Sequence, residues 1–346
     1  MSPLVSSMML SSVAAGTIIA ASTHHWLLAW MGLELNTLAI LPLLATSHTP
    51  RAIEATTKYF LIQAAASSML LFASILNANL TGQWDITQLT TQPAITMLTL
   101  ALMMKLGLAP MHAWLPEVMQ GTPTQMAFIM ATWQKLAPSA LLLQTAHTLH
   151  TPTILSLALL STLIGGWGGL NQTQLRKLLA FSSIAHLGWM MSIITMNTDL
   201  MLLTLTIYII MTTTMFSIIL TSHTKSLKDM TMMSSINPTM MILALLTLIS
   251  LGGLPPLSGF APKWLILTEL TTWHLPAMAT LMALASLLSL AFYIRLGYLT
   301  SLIIAPNTNM TKLNWRLKPN HPTLTTTLTT TLTMMLLPIT PLLLLT

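Results

Sequence analysis

The sequence predicts an all-α integral membrane protein of about eleven transmembrane helices. Three observations carry that fold class. The mean hydropathy is +0.75. Only 6% of the 346 residues are charged, while 54% are hydrophobic. The apolar residues gather into about eleven stretches, most of them near the roughly 20 residues that cross a bilayer as a helix. Little is left for an extramembrane part, so residues 1–346 read as one polytopic membrane domain.

In order, the expected spans cover about 3–22, 25–45, 53–78, 91–111, 123–146, 152–169, 175–196, 199–221, 237–272, 276–300 and 323–345. The first has no basic leader before it and reads as a span rather than a cleavable signal peptide. Turn chemistry separates the others: His48, Thr49 and Pro50; Gly82 and Gln83; Gly121, Thr122 and Pro123; Thr151 and Pro152; Asn237 and Pro238; Pro319, Asn320 and Pro322. The ninth stretch is too long for one helix and must break internally. The last is rich in threonine, whose hydroxyls bond back to the helix backbone and keep it viable. Trp26, Trp84, Trp273 and Trp315 fall near span ends, as an interfacial aromatic belt would.

Charge sets the topology. An odd number of spans puts alternate connectors on opposite sides. The side of Met1 collects Arg51, Lys58, Arg176, Lys177, Lys225, Lys228, Lys312, Arg316 and Lys318, with Arg295 near enough to snorkel there. The other side holds Asp85 and Asp199, with Glu269 close by, and no Lys or Arg in any loop. By the positive-inside rule the amino terminus faces the compartment of synthesis. The net charge of +6 is therefore topology rather than a nucleic-acid footprint. Lys312, Arg316 and Lys318 read as a solvated loop, with anionic headgroups or a neighbouring subunit as the alternative. The absence of cysteine excludes disulfides, thiolate metal sites and Cys-ligated iron–sulfur clusters. Methionine is abundant at 28 residues, and Val5, Val13 and Val118 are the only valines, a swap that matches mitochondrial codon bias by association.

Two segments resemble each other. Gly107-Leu108-Ala109-Pro110 is followed by Trp114 and Pro116; Gly253-Leu254-Pro255-Pro256 is followed by Phe260 and Pro262. Proline removes a backbone donor and clashes with the preceding turn, so both segments should interrupt their helices. In lipid the freed carbonyls need protein or water over them. The two segments would run in opposite directions through the membrane, which makes an inverted repeat: repeat one about 1–146, repeat two about 152–300, then a loop and last helix over 301–346. Paired Gly/Pro breaks in two halves point to a transport site. Two unrelated proline kinks are the bland alternative.

Four charges lie inside apolar stretches: Glu34, Lys105, Lys135 and Lys263. Each costs about 2.5–3.5 kcal/mol at the centre of a bilayer on insertion scales. Lys105 lies just before the first break and Lys263 just after the second. Desolvation disfavours an ammonium and a nearby carboxylate favours it. A Glu34–Lys105 pair of variable separation would therefore act as a proton valve, with Lys135 and Lys263 as onward acceptors. The alternative is a static ion pair serving helix packing, although such pairs often add little net stability. His112 and His186 are expected to lie deep, either as relay groups or as hydrogen-bonded core residues. A bis-histidine haem would need two ligands at one depth, and these offer one pair at most. Gly165, Gly166, Gly168 and Gly169 lack any βαβ context and suit close helix packing.

The segments Lys105–Glu117, Leu179–Trp189 and Gly252–Phe260 with Lys263 and Trp264 closely resemble the antiporter-like subunits of respiratory complex I. The likeness runs essentially end to end. It implies two inverted five-helix repeats with discontinuous helices, and proton movement through a central Glu/Lys/His chain. By motif position Glu34 corresponds to the family's carboxylate, Lys105 to its paired lysine, Lys135 to the connecting residue and Lys263 to the second-repeat lysine, with His112 and His186 at the polar positions. It also implies a subunit of a redox-driven pump in the mitochondrial inner membrane, amino terminus to the matrix, with no cofactor or metal of its own. Its partners would be adjacent antiporter-like and other membrane-arm subunits and membrane lipids. The chain looks three helices shorter at its amino end than the wider family, which suggests an accessory subunit or lipid on that flank. A stand-alone cation/proton antiporter and a purely structural spacer are the competing readings.

Overall fold

Helix boundaries in this chain follow from proline, glycine and Ser/Thr caps placed between apolar runs. The computed structural model describes residues 2–302 and 323–345. Lys312, Trp315, Arg316, Lys318, Pro319, Asn320 and Pro322 lie outside the described residues. The described residues are overwhelmingly helical, and β-structure among them is limited to the isolated bridges His25–Asp85 and Gln174–Ser226. Among the described residues, seven helical segments are long and apolar enough to cross a membrane, and the apolar helices Gln92–Leu106 and Pro238–Gly252 are shorter.

The chain forms two compact units. The first comprises Met1–Ser161 with Met191–Thr198. It contains α1 (Pro3–Ser22), α2 (Trp26–Leu44), α3 (Pro50–Thr81), α4 (Gln92–Leu106), α5 (Trp114–Gly121), α6 (Thr124–Ala131), α7 (Leu136–Gln144) and the start of α8 (Thr151–Gly169). Helices α1 and α2 approach closely because a Cβ on Gly16 would meet the Gly32 carbonyl at 2.8 Å. Pro50 and the Thr49 hydroxyl, which accepts from the Ala52 amide at 3.3 Å, start α3. Its 32 residues span roughly 48 Å at 1.5 Å per residue.

The second unit comprises Thr162–Met190 with Asp199–Thr346. It holds the rest of α8, most of α9 (Leu175–Ile193), α10 (Thr198–Ser222), α11 (Leu227–Ile236), α12 (Pro238–Gly252), α13 (Phe260–Thr272), α14 (Pro276–Leu302) and α15 (Thr323–Leu345). Small residues again set the packing: a Cβ on Gly165 would meet the Ala185 amide of α9 at 2.6 Å, and one on Gly166 would meet Leu288 of α14 at 2.7 Å. In α15 the threonines bond back as expected, with Thr333 Oγ1 donating to the Thr330 carbonyl at 2.7 Å. The 221–237 connector carries α11, whose capping box pairs Ser226 with Asp229. The Lys225 and Ser226 amides donate to the Asp229 carboxylate at 2.9 and 2.8 Å, and the first of these bonds leads in holding that carboxyl below its ordinary range.

Three expectations need correction. Lys58 is not in a connector: it lies on α3, eight residues past Pro50, and joins Glu54 and Glu117, each at 2.6 Å. Trp26 does not face lipid, because it is fully buried inside the first unit. The fifth span is not a continuous helix. It stops at Ala131, passes through Thr132 and a 3₁₀ turn over Trp133–Lys135, and restarts at Leu136. Pro138 explains the restart. Its ring has no N–H and crowds the carbonyl four residues back, that of Gln134, yet it is tolerated in the first turn of a new helix.

Candidate functional site

The first break begins where α4 ends at Gly107, in the left-handed conformation with φ +77°. The Gly107 and Leu108 amides both bond the Met103 carbonyl at 3.0 Å, a closing pattern that favours glycine. Residues 107–113 are then non-helical, and Pro110 contributes no donor. Neighbours supply the missing partners. Trp114 Nε1 donates to the Met104 carbonyl at 3.1 Å, and Gln63 Nε2 on α3 donates to the Lys105 carbonyl at 3.3 Å. With its backbone satisfied by uncharged groups, Lys105 is 5% exposed and its Nζ makes no hydrogen bond.

Lys105 lines a cavity of about 20 Å³ together with Lys135, Asn36, Tyr59, Gln63 and Gln134. That is room for about one water. The 3₁₀ turn brings Lys135 into this wall, 3% exposed. Glu34 is half-buried on α2, its Oε2 enclosed without a hydrogen bond. It is near enough to interact through space with Lys105 and with the buried Tyr59. The structure thus brings Lys105 and Lys135 to one cavity, while Glu34 does not line it.

In the second unit α12 ends at Gly253, φ +80°, whose amide bonds the Ile249 and Ser250 carbonyls at 3.2 and 2.9 Å. Pro255 and Pro256 follow, exposed, and α13 starts at Phe260. Here the lysine itself closes the break: Lys263 Nζ donates to the Gly252 carbonyl at 2.8 Å. Lys263 also lines a second cavity of about 20 Å³ with His186, Trp189, Thr204 and Gly259. The His186 ring lies 5.5 Å from that of Tyr208.

His112 is the exception among the site residues. It falls within the first break, half-exposed, with Nδ1 3.1 Å from its own chain's Pro110 carbonyl, and it does not line the Lys105 cavity. Charge and histidine directed the sequence reading, so the uncharged Asn36, Tyr59, Gln63 and Gln134 escaped it. The available signal was the cost of placing amide side chains in apolar stretches.

Broken helices with a lysine beside each break, each lysine lining a water-sized cavity, define an antiporter-like membrane subunit. Residues 23–289 match the family model for the NADH:quinone oxidoreductase/Mrp antiporter transmembrane region, and residues 290–344 match that for the NADH dehydrogenase subunit 2 C-terminus. NADH-ubiquinone oxidoreductase chain 2 of Xenopus laevis is 55% identical over 342 residues, covering 99% of each chain. A chain of respiratory complex I from Thermus thermophilus superposes with a TM-score of 0.88 at 28% identity, over 99% of this chain and 80% of that one. A chain of the Mrp complex from Dietzia sp. DQ12-45-1b shares the fold, with a TM-score of 0.83 at 16% identity over 97% and 75%. The chain belongs to the NADH-ubiquinone oxidoreductase chain 2 family.

Proposed function

We propose that this chain is a proton-translocating subunit of the membrane part of NADH-ubiquinone oxidoreductase, a multi-subunit complex of mitochondria. Glu34, Lys105 and Lys135 would carry protons in the first unit, and His186 and Lys263 in the second. The observation that carries this reading is the enclosure of the Lys105 ammonium, unbonded, on the same small cavity as Lys135 and within reach of the Glu34 charge. Moving one charge against 100 mV costs about 2.3 kcal/mol. Two charges 4 Å apart interact by about 4 kcal/mol at an effective dielectric near 20. An approach of Glu34 to Lys105 to about that distance would therefore be enough to gate one proton.

The inverted repeat is supported by the left-handed glycines that open both breaks. An amino terminus on the matrix side is supported by the basic residues at one set of connectors. The exposed apolar residues Leu4, Met8, Ile18, Leu27 and Met31 on α1 and α2 support a lipid or subunit cover on that flank, and neighbouring antiporter-like subunits would extend the path. The near full-length 55% identity to a named subunit favours this reading over a stand-alone antiporter. The test is Lys105→Met in the assembled complex. Electron transfer should lose its coupled proton movement; normal assembly with undiminished pumping would refute the relay.

A further inference from the structure

The backbone bonds of the Lys135 turn are of the short 3₁₀ kind. Thr132 has φ −113°, ψ −71°, a distorted right-handed helical conformation; the Lys135 amide reaches the Thr132 carbonyl at 3.4 Å, and the Leu136 amide bonds the Trp133 carbonyl. Short 3₁₀ turns have poorer hydrogen-bond geometry than α-helix and often mark hinges. Pro138 denies the Gln134 carbonyl its regular helical donor. A second tie comes from a distant part of the chain. Gln134 Nε2 donates to Asn36 Oδ1 at 2.9 Å, across 98 residues of sequence. Both residues line the Lys105 cavity, and Asn36 is 2% exposed. Asn36 lies two residues beyond Glu34 on α2. One helix therefore carries both Glu34 and the residue that anchors the turn holding Lys135.

We infer that Gln134 is a positioning residue for proton transfer: anchored on Asn36, it ties the Lys135 turn to the helix bearing Glu34, so that a displacement of α2 resets both lysine environments together. This rests on the reading of Lys105 and Lys135 as proton carriers. Rigid elements joined by a well-made hydrogen bond transmit displacement, whereas a long 3₁₀ bond absorbs it.

The experiment uses the assembled complex carrying Gln134→Met, Lys105→Met, or the exchanged pair Asn36→Gln with Gln134→Asn. Protons moved per NADH oxidised and the pH profile of coupled turnover are measured for each. Q134M should lower the proton yield toward that of K105M and displace the pH profile, while the exchanged pair, which keeps an amide–amide bond, should restore both. A normal yield and profile in Q134M, with K105M impaired, overturns the positioning role alone. A normal yield in K105M removes the carrier reading and this inference with it. If Q134M does not assemble, the exchanged pair decides: wild-type yield and profile support the tie, and a lowered yield in an assembled complex overturns it.

Discussion

The two helix breaks share a sequence pattern and a backbone solution, yet they treat their lysines oppositely. Each opens on a left-handed glycine whose amide bonds back into the last turn. At the first, Gln63 and Trp114 satisfy the freed carbonyls and Lys105 Nζ is left unbonded. At the second, Lys263 Nζ is itself the donor, to Gly252. A broken helix in an apolar setting must satisfy its carbonyls, but the identity of the donor is open. Where neighbours provide it, the lysine is left unbonded in the cavity wall, as the proposed relay requires. Where the lysine provides it, the charge is tied to the backbone.

The greatest contrast is expected at matching positions, each six residues past the opening glycine. A Cβ on Gly259 would overlap the Ser250 carbonyl oxygen, a clash with backbone that no rotamer relieves. Its counterpart Ala113 is exposed and carries its methyl freely. Gly259→Ala should prevent the subunit from accumulating in the complex, since overpacking of about 1–3 kcal/mol is commonplace even where side chains can yield. Ala113→Gly should cost under about 1 kcal/mol. Subunit abundance after expression of each variant measures both, and comparable abundance would show that the second break can shift to admit a methyl.

The lysines provide the next contrast. Lys263→Met strips the Gly252 carbonyl of its donor, a loss of about 1–3 kcal/mol for a group left unsatisfied. Lys105→Met removes a buried charge with no hydrogen bond, which should be neutral or stabilising. The thermal-inactivation midpoint of the purified complex should therefore fall for K263M and hold or rise for K105M, although both are expected to lose proton yield. Equal destabilisation would mean that Lys105, too, is a structural clamp.

The breaks themselves were legible in the sequence because glycine and proline act on the backbone they belong to. So were the buried lysines, whose cost in lipid demands a reason. The partners were not. Gln63 meets the Lys105 carbonyl across 42 residues and Gln134 meets Asn36 across 98, and no local pattern encodes such a meeting. Pro138 was a missed local signal: its effect falls not at the proline itself but on Gln134, one turn earlier. His112 escaped for another reason. A histidine inside a break follows the direction of the turn, and here the turn brings it to Pro110 rather than to the cavity.

Intermediate effects are expected at the glycines. Gly107→Ala forces a Cβ into φ +77°, a strain of about 1–2 kcal/mol. Gly253→Ala adds contact with Lys263 Nζ at 2.8 Å, so it should also displace the ammonium that bonds Gly252. G253A should lower both the thermal midpoint and the proton yield more than G107A does. Identical losses would mean that the lysine end swings aside without consequence.

The smallest expected effect isolates the donor at the first break. Gln63→Leu keeps the bulk of a side chain that is 4% exposed but removes the amide that bonds the Lys105 carbonyl. Net loss of one neutral hydrogen bond is about 1 kcal/mol, more if the carbonyl stays dry. The informative outcome is the pairing with Lys105→Met. If Gln63 spares Lys105 from acting as a backbone donor, then in Q63L the ammonium gains a use, and K105M should become destabilising in that background while remaining neutral in the parent. A double-mutant cycle on thermal stability reads this directly as non-additivity. Strict additivity would separate the two residues, and with them the idea that a satisfied break is what leaves its lysine free.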